Sequence, residues 1–290
     1  MRHNQRPWGA VVADSERLST ALRHVRVGCE FVQERDSDTP SVIQVRPRPE
    51  YLVGLHDESW STDPQVDTHL YTDMYGNSCL RLILPPGRST FRYSAIADVL
   101  DETEAVDPTV PQNDPQDLPD DVLVYTLPSR FCLPDLLGDE AVERFESLPR
   151  DYSRVQHVVD YVWHHLRFRY GSSTATTTAA DVNDSGLGVC RDFAHLAISF
   201  CRALDIPARY VFGYLPAMDI APRPEPMDFA AWMEVWLGDR WWTFDPRNNE
   251  QRKGRVLIGH GRDAADVAMM TSFGMPRLES MTVVAEEYHE

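Results

Sequence analysis

One stretch limits what this chain can become more than any other: residues 186–214, GLGVCRDFAHLAISFCRALDIPARYVFGY. Gly186 and Gly188 admit backbone angles closed to other residues, so they mark a tight turn. Apolar side chains then recur at Val189, Phe193, Leu196, Ala197, Phe200 and Leu204, the spacing of one helix face. Asp205, Ile206 and Pro207 stop that helix, and 208–214 has the composition of a strand. Cys190 therefore falls in the first helical turn. The unpaired N–H groups and positive dipole end there favour an anion, hence thiolate over thiol. A cysteine nucleophile needs such an environment at neutral pH.

The rest of the chain is read around that turn. A length of 290 residues allows two domains or one large one. The formal charge of −17 argues against nucleic acid or an anionic membrane as partner, since both select basic surfaces. The five cysteines are widely spaced and form no CxxC pair, so neither a disulfide framework nor a cysteine-rich zinc site is indicated. No apolar run reaches the length of a membrane span, and 9–13 is too short for a signal core. A cytoplasmic protein with reduced thiols is the expectation, with no cofactor and no metal.

In chain order, residues 1–24 read as a polar extension. Short strands follow at 25–33, 41–46, 51–55, 69–72, 79–84 and 90–97, broken by the turn sequences Asp73-Met74-Tyr75-Gly76-Asn77 and Pro85-Pro86-Gly87. This pattern predicts an antiparallel β-sandwich over 25–100. Residues 101–121 are rich in Asp, Glu and Pro with no basic residue, which predicts an extended, self-repelling linker. A second domain is expected over 122–290. Helices are predicted at 138–148, 151–166 and 174–184. Residues 215–228 form a proline-rich loop, and 229–237 alternates as a strand with 241–245 as its hairpin partner. The class is α+β, an antiparallel sheet packed on helices behind an N-terminal sandwich.

Two metal readings are weak. His157 and His164 share a helix face without matching acidic or thiol ligands. Asp181, Asn183, Ser185, Gly186 and Asp192 fit a calcium-loop spacing, but the helix beginning at Cys190 collides with the template.

The order Gly-x-Cys-helix, strand, Ala-Trp-x-Glu strand, hairpin, Trp-x-x-Phe-Asp-Pro resembles the transglutaminase-like superfamily, whose core is related to papain-like thiol proteases. The resembling segments are GVCRDFAHLAISFCRALDIPARYVFGY, DFAAWMEVWLGDRWWTFDPRNN and GRVLIGHGRDAADVAMMTSFG. VRPRPE (45–50) and DMYGN are similar to the β-rich N-terminal region of bacterial members. The resemblance implies acyl transfer through a Cys–His–Asp set, with Cys190 as nucleophile and Asp245 as the orienting carboxylate. At the histidine position, immediately before Ala231-Trp232, this chain carries Ala230. A methyl group neither takes nor gives a proton.

Three readings follow, the third being a structural or assembly role for both domains, against which the retained Cys190 counts. In the first, cysteine thioester chemistry acts on peptide or protein amides by transamidation, deamidation or hydrolysis, with another group as base. His195 lies about 140° round the helix from Cys190 and is disfavoured. His260, placed in a loop after the sheet, has no support from spacing. A water or the carboxylate of Asp228 or Glu234 could serve instead; Glu234 ranks above His195 because it shares the strand face of position 230, as does Trp232, and Trp232 and Glu234 are expected to line the cleft. In the second reading the site is catalytically degenerate and binds peptide or protein ligands without turnover.

Overall fold

The computed structural model describes residues 21–221 and 226–289. Residues 1–20 of the expected 1–24 extension, and the part of the proline-rich loop at 222–225, lie outside the described residues; Leu22, Arg23 and His24 belong to the first strand.

Period-two burial builds the N-terminal half. Strand β6 (Gly87–Leu100) buries Phe91, Tyr93, Ala95 and Ala97 and turns Arg92 and Ser94 outward; β5 (Ser78–Leu84) buries Leu80, Leu82 and Leu84 around an exposed Arg81 and Ile83. With β1 (Leu22–Arg35), β2 (Thr39–Ile43), β3 (Gly54–Asp63) and β4 (Thr68–Thr72) they form two antiparallel sheets whose apolar faces share one core. The reading at 51–55 caught only the start of β3. That strand lies at the sheet edge, pairs with β6 alone, and is mostly exposed, so its sequence GLHDESWSTD carries little apolar signal.

The helical half follows from capping and amphipathic faces. α1 (Pro134–Phe145) opens on a proline, and α2 (Tyr152–His165) is capped by Asp151, which accepts from the Ser153 N–H. α3 (Ala179–Ser185) opens with a capping box between Thr178 and Asp181. Short strands β7 (Arg167–Phe168) and β8 (Leu187–Gly188) pair in parallel before α4 (Cys190–Ala203). α4 is buried from Asp192 to Arg202 and packs on a four-stranded sheet ordered β11-β10-β9-β12, with β9 (Ala208–Tyr214), β10 (Ala230–Leu237), β11 (Arg240–Phe244) and β12 (Val256–Gly261).

Three expectations need correction. The second domain does not run to the C-terminus. β13 (Met270–Ser272) pairs with β2, and β14 (Arg277–Tyr288) pairs with β1, so the last strands complete the sandwich. Nor is 101–121 a free, self-repelling linker. Asp101 pairs with Arg23 and Lys253, Glu104 with Arg255, and Gln112 donates to the Leu204 carbonyl at 2.9 Å. Its neutralising cations come from distant segments, which local composition does not reveal. Finally, His260 sits within β12, buried, and not in a loop.

The halves are joined through buried bonds. The Tyr214 hydroxyl donates to the Val45 carbonyl at 2.9 Å, and the Arg48 N–H to the Leu257 carbonyl at 2.9 Å. No helix among the described residues is long and apolar enough to cross a membrane.

Candidate functional site

The turn into α4 is set by two glycines. Gly186 ends α3 in the left-handed conformation (φ 66°), and at Gly188 a Cβ would meet Asp192 Cβ at 2.9 Å. The Asp192 carboxylate accepts from the Val189 N–H at 2.8 Å and holds Arg191 Nε at 3.1 Å. One of the N–H groups at this helix end is thus already satisfied by an anion. Cys190 is left at the first helical position, facing a cavity of about 710 Å³ lined by residues including Phe168, Tyr210, Phe212, Asp228, Ala230 and Arg247.

The sulfur is accessible from the cavity but otherwise enclosed, and it lies 3.9 Å from the Phe229 carbonyl oxygen. Burial pushes the Cys190 thiol up to about 11. The negative charges of Asp228 and Asp245 act in the same direction, against backbone N–H groups of Ala231 and Arg191. The environment thus opposes the thiolate that helix position alone favours. Desolvation and two carboxylates outweigh the dipole, which is worth only about 0.3–1 kcal/mol.

Ala230 begins β10 and lines the cavity beside Cys190, as the spacing implied. Asp245 follows β11, buried, but its carboxylate is engaged elsewhere. Oδ1 accepts from the backbone N–H groups of Arg247 and Asn248 at 3.1 and 2.9 Å; Oδ2 accepts from Asn248 Nδ2 at 2.7 Å and Arg255 Nη2 at 2.8 Å. Arg255 also bonds Glu104 and lies 4.9 Å over the Trp232 ring. A buried guanidinium occupies the carboxylate that an imidazole would share.

Two expected cleft residues lie outside the cleft. Trp232 is 1% exposed and packs with Val211 and Leu257. Glu234 forms a buried ion pair with Arg209 (2.6 Å), which also donates to Tyr51 Oη at 3.2 Å. The alternation placed them correctly on the strand face of Ala230. The cavity, however, reaches only the start of β10, because Cys190 sits at that end. Neither remaining histidine candidate serves Cys190. His195 Nε2 accepts from the Ala264 N–H at 3.1 Å, with its ring between Phe131 and Tyr210. His260 lies between Arg48 Nη1 (3.0 Å) and Arg209 Nη1 (3.3 Å). Asp228, the other carboxylate candidate, is the one that lines the cavity, and burial raises its carboxyl. The calcium-template residues Asp181 and Asp192 are helix-capping carboxylates, and His157 and His164 bond helix carbonyls at 2.7 Å.

Residues 140–246 match the sequence profile of the transglutaminase-like superfamily. This chain carries a transglutaminase-like domain. Over 93% of its length it superposes on 92% of a candidate cysteine protease from Cytophaga hutchinsonii, at 29% identity and a TM-score of 0.83. An uncharacterized protein of Mycobacterium leprae is 28% identical over 235 residues, which is 71% of this chain and 76% of that relative. An uncharacterized protein of Mycobacterium tuberculosis (strain H37Rv) is 39% identical over 110 residues, 34% of this chain and 35% of the relative.

Proposed function

We propose that this transglutaminase-like protein binds peptide or protein segments in the Cys190 cleft without turning them over. The observation that carries the reading is the exchange around Asp245: position 230 supplies a methyl group, and the carboxylate that would orient an imidazole is bonded by Arg255 and Asn248. With the thiol at about 11, roughly one sulfur in 10⁴ is ionised at pH 7. The cavity supports binding on its own terms. Its volume of about 710 Å³ lies within the range of ligand sites, and its wall is mainly apolar and aromatic with a few charged groups.

Cysteine-dependent acyl transfer has one observation in its favour, the cavity position of Asp228 beside Cys190. A carboxylate is a far weaker base than the thiolate it would have to create, and its charge disfavours that thiolate. The test is labelling with iodoacetamide across pH, read by mass spectrometry at each cysteine. Cys190 is expected to react appreciably only above about pH 9, in line with a thiol near 11. Selective labelling of Cys190 below pH 8, lost in Cys190→Ala, together with release of ammonia from glutamine peptides, overturns the reading.

A further inference from the structure

We infer that the cleft takes a histidine side chain of a bound peptide, its imidazole seated between the Cys190 thiol and the Asp228 carboxylate, beside Ala230. The inference rests on the reading of the cleft as a peptide site, and the groups around the sulfur carry it. Asp228 and Ala230 flank Phe229, whose carbonyl oxygen lies 3.9 Å from the Cys190 sulfur, and all four residues line the same cavity of about 710 Å³. A thiol, a carboxylate and a bare methyl group therefore stand close together on one wall.

Two polar groups of that wall lack partners. Asp228 accepts one hydrogen bond, at 2.7 Å, from the N–H of its own neighbour Phe229, and no cation pairs with it among the described residues. Arg191, which shares the wall, is committed to Asp192 at 3.0 Å. Tyr210 is 5% exposed, its ring lies against His195, and its hydroxyl has no hydrogen-bond partner among the described residues. Burial holds that hydroxyl protonated, so it can donate to a ligand carbonyl. Buried polar groups are nearly always hydrogen-bonded, so two such groups on one wall mark a place that a ligand completes.

The ligand group must donate to Asp228 and accept from the Cys190 thiol. Neutral imidazole does both, one through each ring nitrogen. An ammonium only donates and leaves the thiol without an acceptor. A carboxamide can bridge the two groups, but its oxygen is too weak a base to hold a proton. Ala230 leaves open the space that a larger side chain would fill, and Tyr210 and Phe212 offer aromatic faces to a flat ring. Once seated, the imidazole can take the proton of the thiol. The S–H bond breaks, an N–H bond forms, and Asp228 holds the imidazolium beside the thiolate; no other reactant is consumed. The charge of Asp228, which opposes a lone thiolate, is neutralised in that arrangement. Cys190 thus becomes reactive only while a histidine is bound.

The experiment is iodoacetamide labelling of the full chain at pH 7.5, read by mass spectrometry at Cys190, with imidazole, with 1-methylimidazole or with neither. Imidazole is expected to speed labelling at least ~10-fold, the effect of lowering the thiol by about one pH unit. 1-Methylimidazole, which cannot donate to Asp228, should give little of that gain, and Ala230→Leu, which fills the space, should erase it. In fluorescence anisotropy, a labelled peptide of alternating leucine and histidine should bind at least ~10-fold more tightly than its leucine–glutamine counterpart. No gain with imidazole, an equal gain with 1-methylimidazole, or equal affinity for the two peptides overturns this inference and leaves the peptide-cleft reading standing. Rapid labelling of Cys190 with neither base present, or no binding of either peptide, overturns both. The wild-type comparisons need no variant, so a misfolded Ala230→Leu protein does not spare the inference.

Discussion

Asp245 is where single residues decide most about this protein. In a Cys–His–Asp set a buried carboxylate accepts a hydrogen bond from the imidazole it orients. Here Arg255 is the donor on that carboxylate, and through Glu104 it ties the 101–121 segment to the end of β11. The carboxylate has become part of the fold. Asp245→Asn keeps an oxygen for the Arg247 and Asn248 N–H groups but removes the charge facing a buried guanidinium. It is expected to cost about 1–3 kcal/mol in urea unfolding while leaving peptide affinity in the cleft within about twofold. An aspartate kept for chemistry would behave oppositely, with unchanged or raised stability on substitution. Cys190 was legible because helix periodicity puts it in the first turn, and Ala230 and Asp245 because the strand pattern around them resembles that of the transglutaminase-like superfamily. Arg255 was not, because its role exists only once β12 and the 101–121 segment have folded back against β11. Trp232 and Glu234 were assigned the correct face and the wrong neighbourhood, since alternation says which side a residue takes and nothing of how far a cavity extends along it.

The elements repeat that lesson at longer range. α2, α4, β9 and β10 lay within a few residues of where their sequence patterns put them, because each buries a continuous apolar face. β14 was missed. Its partner is at the opposite end of the chain, with Val27 opposite Ala285 and Cys29 opposite Val283, and no local pattern announces such a pairing. β14 also carries exposed charge at Arg277, Glu279 and Glu286, as an edge strand should. Its function is to cover β1, a strand of 14 residues that would otherwise present an open ladder of N–H and C=O groups. Deleting residues 277–290 should therefore make the chain aggregate on expression or elute as large assemblies in size-exclusion chromatography. A monomeric, fully folded truncation would show that the sandwich is complete without its last strand.

Across the whole molecule, burial of two imidazoles, His195 inside the helical half and His260 where that half meets the sandwich, makes stability depend on pH. His195, packed between Phe131 and Tyr210, is driven down to about 3 by burial, helped by the Arg191 and Arg202 charges against Asp192. His260 is driven lower still by burial and by Arg209 and Arg48. Both imidazoles are neutral in the folded chain, whereas in the unfolded chain they protonate near 6.5. Below that value the unfolded state binds more protons, so stability is full above about pH 6.5 and is lost as pH falls towards 3. Each histidine contributes a slope of up to ~1.4 kcal/mol per pH unit, and the two together up to ~2.7. Paired carboxylates such as Asp266, held low by Arg262 and Tyr75 against its burial, add to the loss only in the more acid part of that window. Urea midpoints measured at half-unit steps from pH 7.5 to 4.5 should thus fall steadily from about pH 6.5 downward. In His195→Phe, an aromatic replacement between two aromatic rings, the decline should flatten by about one proton's worth, even if the lost Ala264 bond lowers stability at pH 7.5. A midpoint that holds constant from pH 7.5 to 5 would mean that the two imidazoles gain no protons on unfolding, and the packing around them would have to be redrawn.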